Sequence, residues 1–301
     1  MSEPIARLAG SRVLVTGGTS GLGLAMASAL VEAGAQVALT SRRRARAEAV
    51  ARRLAEVAAG PLRSAAAGLE RSAAAGSPKP AAIGIELDVR DERSVRQGVE
   101  EAWARLGGLE LLINNAGIGM RTVNPRFMSD PQPFWEVAPE GFRDVLETKA
   151  TGCFLVAREV VPRMLAAGLG QVVTISMNHS TMVRRGFIPY GPAGAAVEAI
   201  ARVIAAELAG SPVRANILLP GGATATGMIP DEAPDEVRRR LLPPSIMGPP
   251  IVWLASPEAK DVHDQRIIAS EFDGWLARWR AERAGAKPSG EEQPPFSEAD
   301  R

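Results

Sequence analysis

Short apolar runs alternate with longer helical stretches through more than two hundred residues, and this alternation restricts the fold more than any other feature of the chain. Residues 12–16 (RVLVT), 36–40 (QVALT), 83–87 (IGIEL), 109–113, 171–175 and 213–219 read as buried strands. Residues 22–33, 42–59, 92–106, 139–167 and 190–209 read as the helices between them. Strands separated by helices pair in parallel, because a crossover of that length returns the chain to the same end of the sheet. The pattern predicts one α/β domain with a doubly wound parallel sheet, whose ligands lie beyond the carboxyl ends of the strands.

Two segments break the rhythm. Residues 60–80 are Ala-rich with a short SAAAG echo and read as a surface insertion; residues 284–301 read as a frayed tail, so the folded unit spans 1–283. Trp275 and Trp279, one helical turn apart, suit a core or subunit surface better than a ligand site.

Composition narrows the function. With Lys+Arg 35 against Asp+Glu 34 the net charge is +1, so no overall field attracts nucleic acid or an anionic membrane. A lone cysteine, Cys153, forms no internal disulfide, and with His179 and His263 it makes no metal-ligand spacing. The N-terminus has no signal-peptide core and no stretch has the length of a membrane span, so a cytoplasmic protein without metal is expected.

The chemistry begins where the first strand meets the first helix. There Gly17, Gly18, Thr19, Ser20, Gly21, Leu22 and Gly23 follow Thr16, and missing side chains let backbone N–H groups approach a pyrophosphate at a helix N-terminus. A Gly-rich turn alone can serve tight packing just as well. Here, however, Asp88-Val89 follows the third strand, Asn114-Asn115-Ala116-Gly117 the fourth, and Tyr190 opens a helix after the fifth. Together these motifs, from about Val13 to about Ala269, resemble the short-chain dehydrogenase/reductase family, with its Rossmann-type sheet.

The resemblance implies a nicotinamide dinucleotide along Gly17 to Gly23, with Asp88 at the adenine and Val89, Asn115, Ala116 and Gly117 lining its path. Pro220, Gly221 and either Thr224 or Thr226 would meet the nicotinamide. The second strand ends in Ser41-Arg42-Arg43-Arg44 with no carboxylate for a ribose 2′-hydroxyl, and guanidinium groups clamp a 2′-phosphate, so NADP(H) is expected. Arg42 is the best placed of these and Arg44 the worst; Arg46, Arg52 and Arg53 read as a solvated helix face.

The catalytic half departs from the family pattern. Tyr190 matches the family's tyrosine, but its lysine position four residues later is Gly194, its serine position is Met177 and its asparagine position is Lys149. Met177 has no donor for a carbonyl oxygen. One reading is compensation, with the Lys149 ammonium filling the space left at Gly194; the rival is two independent losses in a chain that no longer transfers hydride. A phenol with its ordinary pKa near 10 stays a proton donor at neutral pH, so reduction suffers less than oxidation. Asn178 or Ser180 offers a replacement donor, and His179 reads as a substrate-contacting or solvent-facing group.

The family sets substrate choice in the loop after the sixth strand, here residues 222–250, where Met228, Ile229 and Met247 suggest an apolar pocket. Residues 119–138 form a long aromatic connection suited to a lid or to packing on another subunit. The sequence thus predicts an NADP(H)-dependent reductase of an apolar carbonyl compound, with Tyr190 and Lys149 as catalytic residues and Met177, Asn178 and Met228 at the substrate. The alternatives are a non-redox reaction on the same fold and a non-catalytic coenzyme-binding partner. Family members commonly form homodimers or homotetramers through the helices at 140–167 and 190–209, which is the expectation here.

Overall fold

The computed structural model describes residues 8–59 and 80–285. The insertion expected at 60–80 and the tail from 284 lie almost wholly outside the described residues. Among those described, seven parallel strands form one sheet in the order β3-β2-β1-β4-β5-β6-β7. They are β1 (Arg12–Val15), β2 (Gln36–Ser41), β3 (Ala82–Glu86), β4 (Leu111–Asn114), β5 (Gly170–Ile175), β6 (Val213–Leu219) and β7 (Arg266–Ile268). The strand order reverses at β1, which pairs with β2 on one side and β4 on the other, Val15 standing opposite Leu39 and Ile113. The two halves of the sheet therefore part there and open a crevice above β1 and β4.

Alternate side chains of each strand enter opposite layers. Val13, Val15, Val37 and Leu39 face α1 (Gly21–Glu32) and α2 (Arg44–Ala58), while Leu14 and Ala38 face α3 (Glu92–Leu106) on the other side. Burial on both faces explains why these strands read as continuous apolar runs. The helix α3 begins at Asp91, whose side chain accepts from the Ser94 amide at 2.6 Å, and stops at Gly107 with φ 81°.

Further on, α4 (Pro139–Leu146), α5 (Gly152–Ala167) and α6 (Tyr190–Leu208) cover the α3 side, and α7 (Gly248–Leu254) and α8 (Phe272–Arg283) the α1 side. Trp253 on α7 meets Trp275 and Trp279 of α8 at ring distances of 5.4 and 5.0 Å, so those tryptophans cap the core as expected. No helix among the described residues is long and apolar enough to cross a membrane.

One expectation is refined. The helix read over 139–167 is helical throughout but contains a π-helical turn at Glu147–Thr151, which joins α4 to α5. The Thr148 hydroxyl donates to the Asp144 carbonyl at 2.7 Å, a side-chain bond that competes with the helical ladder. Just beyond it a Cβ on Gly152 would lie 2.7 Å from Val89, so the helix passes too close to the β3–α3 connection for any side chain there. The extra residue of the π-turn sets Lys149 on the inner side of the bend.

Candidate active site

The crevice at β1 and β4 is built by two polar side chains. Thr16 Oγ1 accepts from the amides of Asn115 and Ala116 at 2.9 and 3.0 Å and donates to the Ile113 carbonyl at 3.2 Å. Asn115 Nδ2 in return donates to the carbonyls of Thr16 and Gly17 at 2.9 and 3.3 Å. The two backbone segments 16–17 and 113–116 are thus pinned together where the sheet parts. Gly17 and Gly21 hold φ of 64° and 54°, a region other residues enter only with strain. A Cβ on Gly23 would lie 2.4 Å from Asn115 Nδ2 and 2.5 Å from the Gly17 carbonyl oxygen. The turn is therefore fitted to its surroundings, while Thr19, Ser20, Gly21 and Leu22 keep partly open positions at the N-terminus of α1.

At the far end of the crevice Ser41 closes β2 and its Oγ accepts from the Arg43 amide at 3.3 Å. Arg44 is committed elsewhere: its guanidinium meets Glu101 at 2.8 Å and leans on Glu86 and Glu48. Arg42 and Arg43 are exposed and make no ion pair among the described residues. Asp88 is bracketed by Arg90, whose Nη2 donates at 2.8 Å; this bond, with Arg42 as a lesser influence, holds its carboxyl below the usual range.

The reacting end is assembled from three elements. Tyr190 starts α6, Lys149 rises from the π-turn, and the Lys149 ammonium lies 4.9 Å from the centre of the Tyr190 ring. Gly117, closing the fourth-strand motif, makes room for it, since a Cβ there would meet Lys149 Cγ at 3.2 Å and Nζ at 3.3 Å. Burial lowers the Lys149 pKa to about 8, slightly offset by Cys153, and burial also raises the Tyr190 phenol above its ordinary value.

The compensation reading needs correction at Gly194. The space there is occupied by Met177, whose Cε and Sδ lie 2.5 and 2.7 Å from the position of a Gly194 Cβ. The thioether is flexible and apolar and fills a gap between β5 and α6 that an ammonium would enter only at a desolvation cost. Lys149 instead lies against Gly117, with its ammonium 4.9 Å from the Tyr190 ring centre. Met177 is consequently 8% exposed, part of the wall rather than an open surface. Asn178 Nδ2 is spent on the Gly221 carbonyl at 3.0 Å, which ties the end of β5 to the Pro220-Gly221 turn.

Both candidate substrate loops close over this centre. Met228 Sδ stands 3.9 Å from the Tyr190 hydroxyl, and its side chain packs against Gly119. Arg121 donates to Asp231 at 2.8 Å, clasping the 119–138 loop to the 222–250 loop. Behind them Met120, Phe127 and Phe187 form a small apolar cluster that Tyr190 joins. Thr226 packs beside Gly21, where both line a cavity of about 560 Å³ with Leu24, Ile229 and Arg238. Thr224 is turned inward and buried.

The comparisons with known proteins agree with this geometry. Residues 17–270 match the family model described as enoyl-(acyl carrier protein) reductase. The chain belongs to the short-chain dehydrogenase/reductase family. A relative from Sphingobium indicum, 2,5-dichloro-2,5-cyclohexadiene-1,4-diol dehydrogenase LinX, is 30% identical over 262 residues, 84% of this chain and 92% of its own. Among solved structures, a putative short-chain alcohol dehydrogenase from Sinorhizobium meliloti 1021 superposes with a TM-score of 0.71 at 26% identity, covering 90% of this chain and 99% of that one. A 3-ketoacyl-(acyl-carrier-protein) reductase from Brucella melitensis complexed with NADH gives 0.68 at 25% identity, covering 87% and 97%.

As a short-chain dehydrogenase/reductase, the protein is an oxidoreductase. That assignment favours hydride chemistry over the non-redox and non-catalytic alternatives. The family's coenzyme is a nicotinamide dinucleotide, and the chain fits one: the glycine turn has no space for side chains on its packed side and open N–H groups at α1 on the other.

Sequence reasoning missed one polar network. Glu198 on α6 accepts from Ser176 at 2.6 Å and Arg266 Nε at 2.8 Å and contacts His179 Nε2 at 3.1 Å, while Arg266 also donates to the Met177 carbonyl at 3.0 Å. These bonds tie residues 176–179 to α6 and β7. A glutamate on the buried stripe of an apolar helix was the available signal.

Proposed function

We propose that the protein is an NADP(H)-dependent reductase of an apolar carbonyl compound, with Tyr190 as proton donor and Lys149 as the charge beside it. The observation that carries this reading is the Lys149 ammonium 4.9 Å from the Tyr190 ring, in a chain that lacks a lysine at 194. The coenzyme supplies the hydride. Tyr190, held as a phenol by its raised pKa, donates its proton to the substrate oxygen, and the nearby ammonium stabilises the phenolate left behind. Met177 offers no donor and Asn178 is committed, so Tyr190 is the donor this wall presents to a carbonyl.

NADP(H) is favoured by Arg42 and Arg43, two exposed guanidinium groups at the end of β2 that make no ion pair among the described residues. An apolar substrate is favoured by Met228, Met120 and Phe127 around the phenol. Entry of a carbonyl at the hydroxyl displaces the Met228 sulfur. Exposed Phe154 on α5 and Val203 on α6 favour association with a second copy through those helices, which light scattering reads.

The deciding experiment follows nicotinamide absorbance with NADPH, then NADH, across apolar ketones and aldehydes. Turnover faster with NADPH is expected. Coenzyme binding with no oxidation across the panel overturns the reductase reading.

A further inference from the structure

The charge beside the phenol has an unusual setting. Only four of the 35 Lys and Arg side chains are lysines, and of the two described, Lys260 is exposed while Lys149 is half-buried against Gly117 and the Tyr190 ring. Lys149 has no anionic partner among the described residues. Glu147 on its own turn and Asp144 on α4 act on Arg90, and Glu198 on α6 is engaged by Ser176, His179 and Arg266. Cys153, one turn along, is kept a thiol by burial, with its pKa near 11, and Tyr190 is kept a phenol. A desolvated ammonium left this way is costly unless another dipole reaches it.

Asn114, the last residue of β4, carries such a dipole. It is 6% exposed, its Nδ2 donates to the Cys153 carbonyl at 3.4 Å, and its Oδ1 has no partner among the described residues. The reversed amide would set two carbonyl-type oxygens against each other, so Oδ1 points away from Cys153 O. It borders a largely enclosed cavity of about 10 Å³, shared with Lys149, Cys153 and Thr16. That is the lower limit of room for one water, which needs two to four polar partners.

We propose that this cavity is a one-water site through which Asn114 holds the Lys149 ammonium in its charged form, which makes Asn114 a positioning residue for the tyrosine–lysine pair. The water donates to Asn114 Oδ1 and accepts from Lys149 Nζ. Its bearing on turnover rests on the role given to Lys149 above; its existence does not.

The test uses the whole protein with 13C-labelled lysine, in which four side chains give signals and Lys149→Arg identifies the one of interest. Asn114→Leu is expected to lower the Lys149 titration by about one pH unit, and Asn114→Asp, nearly isosteric, to raise it by at least as much. The alkaline limb of the rate profile moves the same way in each. An unmoved titration in Asn114→Leu overturns the proposal. If Asn114→Leu does not fold, a high-resolution crystal structure of the wild type decides: a water between Asn114 and Lys149 supports the site and its absence overturns it. Shifted titrations without turnover of any carbonyl compound leave the water site standing and defeat the reductase reading instead.

Discussion

The coenzyme end and the reacting end of the crevice are built on different principles. At β1 and β4, Thr16 and Asn115 knit two backbone segments together, and Gly23 is packed so closely that a methyl group does not fit. At the start of α6, the groups that face one another come from elements far apart in sequence and touch through soft contacts: a thioether on a glycine, an ammonium over a ring, a sulfur at a hydroxyl. Backbone bonding with obligatory partners leaves little freedom of residue type, whereas a charge can be delivered to one place from several directions. In this chain the first arrangement carries the family's motif residues, whereas the second departs from them at 149, 177 and 194.

The contrast is broken most directly at Tyr190. Tyr190→Phe removes the donor and should lower kcat for carbonyl reduction by about a thousandfold while NADPH binding, followed by calorimetry, is kept. If turnover persists, the proton comes from elsewhere. As the single tyrosine of the chain, Tyr190 can be titrated directly by phenolate absorbance, with a midpoint above that of free tyrosine expected.

Next in size is Lys149→Ala, expected to cost about a hundredfold in kcat with smaller change in coenzyme affinity. In the wild type, Lys149 is protonated below its pKa of about 8 and loses its charge above it, so the reduction rate should fall as pH rises through that value. A flat profile separates Lys149 from the chemistry. Gly194→Lys alone should not rescue Lys149→Ala, because Met177 fills the space; the double change with Met177→Ser should restore part of the rate.

At the other end, Arg42→Ala and Arg43→Ala should each raise the KM for NADPH about tenfold and leave that for NADH nearly unchanged. Equal losses with both coenzymes would remove the 2′-phosphate from the argument. Thr16→Val tests the clamp itself: the lost bonds should lower stability by about 2 kcal/mol, seen in denaturant melts, and loosen both coenzymes alike.

The smallest effect concerns stability at the reacting end. Lys149 titrates lower when folded than when unfolded, so between those two values the unfolded chain binds more protons and stability rises with pH. Lys149→Met should therefore be more stable than the wild type near neutrality, and the difference should shrink at alkaline pH. A destabilised variant would show that the ammonium is better solvated than its burial suggests.

Much of this was legible in the chain itself. The alternation of apolar runs and helices determined the parallel sheet, and the TGGTSGLG and NNAG segments determined where its crevice lies, because backbone geometry at such turns dictates residue type. Arg44, read as the worst placed of its cluster, meets three carboxylates in the fold. The π-turn was not legible: residues 139–167 keep helical periodicity throughout, and only the close pass of Gly152 by Val89 and the Thr148 bond break it. Nor could sequence spacing say which side chain would fill the gap at Gly194, since Met177 reaches it only once α6 and β5 are packed. Motifs read from sequence are those held by local backbone constraint; the direction from which a long side chain arrives depends on volume and desolvation, quantities that exist only after the layers have closed.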